Sequence, residues 1–481
     1  SGKSGLLATS RPGQEVLERT ALAVDPASGK ITARFEVGFP AHGRTVYIPP
    51  LVSIFYSTLP KVVSQCLYYR NVDAKRLEET IFLADDIAFL RRELEKRSLV
   101  AFVADGSILA RESGVSQRPM RGAVPFKSPE SLAERIDLPH HGTIQGMGIR
   151  EGVFLIVGGG YHGKSTLWSA LERGVYNHIA GDGREFVVTR SDAMKIRAED
   201  GRSVRQTDVS LFINDLPNGT DTRTFSTEDA SGSTSQAAAV VEAMEAGTSL
   251  LLVDEDTCAT NFMVRDELMR RVVSSDKEPI TPFLSRMRQL YNERGISTVL
   301  VAGSSGSFFE VADAVIQMDE YLPKDVTGLA KEVYQSAGKE MYGQAAGEVA
   351  EEVPAFHEPD IGRFIEPIAA WKRPGARIKT KVLSVDTFSI DKENVDLRGL
   401  SQVVDREQTA AIAAALKYIE LHIANGRRTV QQSVELLYQE LSQKGLTLLF
   451  DGGTVRLGLA CPRKEEVLGA INRFRRLVVH K

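Results

Sequence analysis

Cysteine is scarce: Cys66, Cys258 and Cys461 are spread over 481 residues. Three such distant thiols exclude a disulfide framework and a Cys-x-x-Cys metal site, and point to a reducing compartment. No apolar run approaches the roughly 18–20 residues a membrane span needs. The longest, such as Ser249 to Val253, are strand-sized. A dominant charge sign is lacking too. Lys and Arg number 59 against 63 Asp and Glu, a net of −4. That balance excludes a globally basic coat for nucleic acid but leaves room for a local basic groove. No signal peptide and no internal repeat is visible. What is present is globular: 42% hydrophobic and 25% charged residues, with a slight excess of glycine at 40. The length suggests about three units.

The first unit, 1–145, reads as mixed α+β. Ala21 to Val24 and Ile31 to Val37 are strands joined by a turn-rich segment, and Leu51 to Cys66 carries helical spacing. Asp73 to Lys96 is an amphipathic helix, Leu99 to Ala104 a buried strand, and His140-His141 a hairpin turn. Residues 146–330 alternate apolar strands (Val153–Val157, Leu250–Val253, Thr298–Ala302, Ala314–Met318) with helices, which predicts a mostly parallel sheet. Residues 331–385 read as a linker and basic segment, entered through a helical acidic connector with Glu348, Glu351 and Glu352. Residues 386–481 read as a helical unit: two helices over 403–445 split at Asn425-Gly426, then an Arg-rich helix from Arg463 to Val479.

Gly158-Gly159-Gly160-Tyr161-His162-Gly163-Lys164-Ser165 fits G-x-x-x-x-G-K-[ST] without a gap. It follows an apolar strand and precedes a helix from Thr166, the context this nucleotide-binding motif demands. Backbone N–H groups of the loop and the helix dipole favour phosphate oxygens. Lys164 would neutralise the β/γ-phosphates of ATP or ADP, and the Ser165 hydroxyl would ligate Mg²⁺. Tyr161 and His162 occupy variable positions of the loop, facing solvent or the adenine side. Ser1 to Gly5 contains Gly-Lys-Ser but no preceding strand, and is a loop.

Leu250-Leu251-Leu252-Val253-Asp254-Glu255 is an apolar strand ending in two acids, about 90 residues beyond Lys164. Asp254 would hold Mg²⁺, and Glu255 would polarise the attacking water as a general base. Ala230-Ser231-Gly232-Ser233-Thr234-Ser235-Gln236 opens a helix that ends at Gly247, with Ser231 lying 23 residues before Asp254. ATPases of the ABC type place a Ser-Gly-Gly signature at this distance, and offer it to the γ-phosphate held by the other subunit. Here Ser233 stands for the second glycine. Asp254 to Asn261 lines up with Asp-Glu-Pro-Thr-Ser-Ala-Leu-Asp, whose second half is the D-loop crossing a dimer interface. Cys258 is then a small interface residue rather than a nucleophile. The switch histidine expected after Thr298–Ala302 is missing; Ser304 takes its place. It can hydrogen-bond phosphate but carries no charge, which predicts slow turnover. Gln206 is the candidate for the metal-contacting glutamine, and Phe126 for adenine stacking.

With these runs in view, and with Arg11 to Arg19, Ala101 to Gly106, Asn177 to Phe186 and Lys195 to Ser203, the chain resembles the predicted ATPases of the ABC class. The resemblance covers most of 1–330. It implies an α/β fold: a P-loop core of ABC type with a mixed α+β N-terminal domain and a small, mostly helical C-terminal domain. It implies further sequence before Ser1, hence an incomplete first domain. The family is mainly bacterial and cytoplasmic. It also has kinetoplastid members, one resembling an accessory factor of RNA editing in the mitochondrial matrix that binds RNA through a dimer pore. RNA contacts would then fall on Lys372, Arg373, Arg377, Lys379, Arg473, Arg475 and Arg476, although such residues are as often a solvated face.

The leading expectation is a soluble, homodimeric ATPase that sandwiches two ATP molecules, hydrolyses them slowly and acts on RNA, within an RNA-processing complex and away from membranes. The alternatives are a nucleotide-gated RNA or protein scaffold with incidental hydrolysis, and a P-loop small-molecule kinase. The signature and D-loop spacing oppose the kinase.

Overall fold

The computed structural model describes residues 4–43, 45–265, 278–342, 354–450 and 455–481. Its centre is a six-stranded sheet in the order Met194–Ile196, Leu250–Asp254, Ser297–Val301, Val153–Val157, Ala314–Asp319, Leu322–Asp325. The first five strands run parallel, and the last turns back antiparallel on its neighbour. These are the near-continuous apolar runs of the sequence, as a sheet covered on both faces requires. Alternate residues face opposite ways. Val153, Leu155, Leu251, Val253 and Leu300 pack toward the helices Gly232–Ala246 and Phe283–Arg294. Phe154, Ile156, Leu250, Leu252 and Val299 pack toward the helix Lys164–Arg173 and a second sheet.

That second sheet is antiparallel, ordered Ala133–Leu138, Gly142–Arg150, Leu99–Ala104, Val187–Thr189. Its outer face is covered by the helix Ala74–Lys96 through Leu83, Ile87, Leu90 and Leu94. Asp73 caps that helix by accepting from the Arg76 amide at 3.1 Å. His140 and His141 form the hairpin turn, and their amides donate to the fully buried Asp86 at 2.9 and 3.0 Å. Ahead of these elements, Leu22–Val24 pairs with Ile31–Ala33. A helical run over 48–67, passing through one π turn, buries none of its residues.

The C-terminal unit has its own core around Phe388, Ile412, Leu416, Leu437 and Phe474. Its helices are Arg406–Tyr418, Val430–Lys444 and Lys464–Asn472, beside a three-stranded meander Thr380–Val382, Thr387–Ile390, Glu393–Asp396. The expected Arg-rich helix to Val479 is corrected: it ends at Asn472. The Arg473 and Phe474 amides close i→i−3 turns on Ala470 and Ile471, which ends the α-helical ladder and lets the chain leave extended, with Phe474 and Leu477 both buried. The Leu477 amide turns back to the Phe474 carbonyl, and Val478–His480 pairs with Phe364–Glu366. The helix Thr327–Tyr342 starts the expected connector, but Glu348, Glu351 and Glu352 lie outside the described residues.

The C-terminal unit is fixed to the core by buried polar bonds. The Tyr176 hydroxyl donates to the Gln402 carbonyl at 2.8 Å. Arg363 pairs with Glu245 near the end of the helix Gly232–Ala246, both side chains 2% exposed.

Candidate functional site

Sheet register decides which loops meet. Ile156 and Asp254 both lie opposite Val301, because Ser297–Val301 separates the two motif-bearing strands. The loops after Val157, Asp254 and Val301 therefore leave one edge of the sheet side by side, at the carboxyl ends where parallel sheets bind ligands. Gly158 and Gly163 must be glycine there. Their φ values are +141° and +97°, and a Cβ would stand 2.6 Å from the Met318 carbonyl oxygen or 2.8 Å from the Tyr321 ring. Gly159, Gly160 and Ser165 are exposed, Thr166 is half-buried, and Tyr161 projects fully into solvent. Lys164 Nζ donates to the carbonyls of Gly158 and Gly159. His162 has a structural task. Its carbonyl accepts from Tyr321, its Nδ1 accepts from the Glu320 amide at 3.1 Å, and that nitrogen also lies 3.1 Å from Asp319 Oδ1. The loop is thus tied to the neighbouring strand turn.

Asp254 is half-buried at the strand end, where its carboxylate accepts a 3.2 Å bond from the Asp256 amide. Burial pushes its carboxyl above the ordinary range. Glu255 behaves oppositely. Burial works against its charge, but donors from the 303–305 loop overcome that and hold its carboxyl low. Gly303 N–H and Ser304 N–H donate to Oε2 at 2.6 and 3.0 Å, and the Ser304 hydroxyl donates to Oε1 at 2.7 Å. The residue replacing the switch histidine therefore bonds the candidate base.

Ser231 is the N-cap of the helix Gly232–Ala246; its hydroxyl accepts from the Thr234 amide and remains exposed. Gly232 lies against Ala198, Asp200 and Ala259. The Ser233 side chain is turned inward, 9% exposed, and accepts from Asn261 Nδ2 at 3.3 Å. Cys258 is pushed up to about 12 by burial, which removes it as a thiolate nucleophile. One participant was missed in the sequence. Gln236 is fully buried, accepts from the Ala259 amide at 3.0 Å and donates to Met263 Sδ at 3.3 Å. A glutamine amid the alanines of a buried helix face was the available signal.

Other predicted residues fall elsewhere. Gln206 sits in a small antiparallel ladder and donates to the Ser226 hydroxyl. Phe126 is 2% exposed within the core between the two sheets, so the stacking role is corrected. Lys372, Arg373, Arg377 and Lys379 are exposed; Lys372 also reaches the Leu421 carbonyl. Of the other arginines named for RNA, Arg473 is buried against its partner, while Arg475 and Arg476 are paired at the surface. Arg473 pairs with Glu199 at 7% exposure, Arg475 reaches Glu228 and the Gly201 carbonyl, and Arg476 pairs with Asp391 above Trp371.

Three family models match the chain. The model for the P-loop domain of ABC ATPases matches residues 73–354, the model for the N-terminal part of ATPases of the ABC class matches 1–70, and that for the MRB1590 C-terminal domain matches 379–480. A curated relative, the uncharacterized protein MJ1628 of Methanocaldococcus jannaschii, is 34% identical over 193 residues, 38% of this chain. The chain spans only 42% of that relative's length. Similar solved structures include cbiO1 from Clostridium perfringens, part of the ABC transporter complex cbiONQ, at 17% identity and TM-score 0.27, over 45% of this chain and 95% of that one. The ADP conformation of MJ1267, an ATP-binding cassette of an ABC transporter, matches at 12% identity and TM-score 0.27, over 40% of this chain and 88% of that one.

Proposed function

The chain belongs to the P-loop ATPases of the ABC class, and from that premise we propose that it pairs with a second copy around two ATP molecules and hydrolyses them slowly. The observation that carries this reading is the common sheet edge. It presents the glycine loop with Lys164, the acids Asp254 and Glu255, and Ser304 together. Ser231 supplies the complementary half, an exposed hydroxyl at a helix N-terminus. The exposed Ser165 hydroxyl and the Asp254 carboxylate are hard oxygen donors that fit Mg²⁺. Asp254 is a carboxylate raised by burial, with the charges of Asp256 and Glu172 raising it further against that of Lys195, which favours a divalent cation beside it. When bound, that ion supplies charge neutralisation at the phosphates. Among the described residues no cluster of three His, Cys, Asp or Glu side chains could hold a metal alone, so phosphate and water must complete the set. Glu255 orients the attacking water and accepts its proton, and Lys164 holds the phosphates.

Three donors on Glu255 weaken it as a base, which favours slow turnover and a gating role for ATP. The ligand we assign to that gate is RNA, met by the exposed Lys372, Arg373, Arg377 and Lys379. Among the described residues no helix is long and apolar enough to cross a membrane.

The test uses Glu255→Gln with ATP and Mg²⁺ in size-exclusion chromatography with light scattering. A shift to twice the monomer mass is expected, and Lys164→Ala abolishes it together with nucleotide affinity. A chain that stays monomeric with ATP, or Lys164→Ala that binds ATP as well as wild type, overturns the reading. For RNA, replacing the four exposed cations by Glu lowers affinity for single-stranded RNA and flattens its salt dependence. Unchanged affinity removes RNA from this surface.

A further inference from the structure

Two departures from the family pattern meet in space. Ser233 stands where ABC ATPases carry the second signature glycine, and Asn261 where they carry the D-loop aspartate. The Asn261 amide donates to the Ser233 hydroxyl at 3.3 Å. One helical turn deeper, Gln236 Oε1 accepts from the Ala259 amide at 3.0 Å, and its Nε2 reaches Met263 Sδ at 3.3 Å. A β-carbon on Gly232 would touch that of Ala259 at 3.5 Å, so no side chain separates the two segments.

We infer that Gln236 and the Ser233–Asn261 pair are positioning residues that weld the signature turn and the D-loop into one rigid unit. A buried Gln that satisfies a loop amide is costly to remove, because the amide is left unpaired. An isolated loop would meet the partner's nucleotide in many orientations. A loop bonded to the first turns of that helix meets it in one, and orientation is what a hydrolysis site shared between subunits requires. The pair also explains the non-glycine residue in the signature. The Ser233 hydroxyl is spent on Asn261 inside the subunit, while Ser231 keeps its hydroxyl exposed. This inference rests on the reading that both segments serve the partner's nucleotide. It goes beyond it by naming three residues that act on that site without touching ATP.

The experiment compares full-length wild type with Ser233→Ala, Asn261→Ala, their double variant, Asn261→Asp and Gln236→Leu. Each Ala variant and Gln236→Leu lowers kcat about tenfold, while nucleotide affinity of the single chain at Lys164 is unchanged. The double variant loses no more than the worse single one, because one bond is lost in all three. Asn261→Asp still accepts from the Ser233 hydroxyl and retains wild-type turnover. Hydrogen exchange without nucleotide supplies an independent readout: in Gln236→Leu the amides around Ala259 exchange faster while the sheet amides do not. Additive losses, wild-type kcat in Gln236→Leu, or unchanged exchange at Ala259 overturn the weld. If exchange rises as expected but wild type never pairs with ATP, the weld stands as geometry and the sandwich reading fails instead. Global loss of exchange protection marks an unfolded variant, and the comparison then passes to Asn261→Ala.

Discussion

The Ser304 hydroxyl donates to Glu255 Oε1 at 2.7 Å, with two amides of the same loop on the other oxygen. The resemblance to ABC-type ATPases implies a phosphate-facing residue at this position; here Ser304 bonds the candidate base, Glu255. Hydrogen bonds to a carboxylate favour its charged form and make it a weaker proton acceptor. Ser304→Ala removes one donor and leaves the two amides, so single-turnover ATP hydrolysis rises about two- to fivefold. Slower turnover in that variant would show that Ser304 serves the phosphate instead. Because the donors hold the Glu255 carboxyl below its ordinary range, the base stays ionised through neutral pH. The rate therefore shows no acid limb from this residue above the carboxylate range, and an acid limb near neutrality, absent in Glu255→Gln, would contradict the assignment.

Local chemistry made the loops and strand ends of the candidate site legible. A strand, a glycine turn and a helix leave strong local marks, and so does an apolar run ending in Asp254-Glu255. Ser231 as a cap was readable for the same reason. What escaped depends on partners distant in sequence. Nothing around His162 announces Asp319 and Glu320, and nothing around Gln236 announces Ala259. Arg473, Arg475 and Arg476 read as a basic surface because sequence shows charge but not the acids 85 to 274 residues away that pair with them. Phe126 read as an available aromatic because its loop context hid a core position.

The cysteines separate by environment. Burial pushes both Cys258 and Cys461 up to about 12, whereas Cys66 is exposed on the uncovered helical run. Only thiolates alkylate readily. Iodoacetamide at pH 7.5 labels Cys66 alone in the native chain, and urea brings in the other two, as peptide mass spectrometry will report. Native labelling of Cys258 would mean that the D-loop opens far more than its bond to Gln236 allows.

Arg363 and Glu245 join the C-terminal unit to the signature helix through a pair whose side chains are 2% exposed. Arg363 also donates to the Arg205 carbonyl, Thr207 and Asn472. Removing one member of a buried pair strands the other charge, at about 3–5 kcal/mol. Arg363→Met is therefore strongly destabilising in urea unfolding. Adding Glu245→Gln neutralises the stranded acid and recovers at least half the loss. A double variant no more stable than Arg363→Met would place the cost in the other three bonds.

Glu420 gives the C-terminal unit a pH dependence of unusual sign. It is 1% exposed; burial raises its carboxyl to about 7, against the opposing Ile368 amide, Lys372 and Arg476. Among the described residues its Oε1 has no hydrogen-bond partner. The folded state thus holds a proton that the unfolded chain releases near 4.5. Stability from this group is complete below that value and is lost as pH rises through about 7, with a slope of at most about 1.4 kcal/mol per pH unit. Most paired carboxylates do the reverse. In a Trp168→Phe background, Trp371 fluorescence reports this unit alone, since Trp371 packs beside Phe474 in its core. Urea midpoints should fall from pH 5 to pH 8, and Glu420→Gln should flatten that fall while keeping the stability seen at pH 5. A fall of the same steepness in Glu420→Gln would assign the titration to another group.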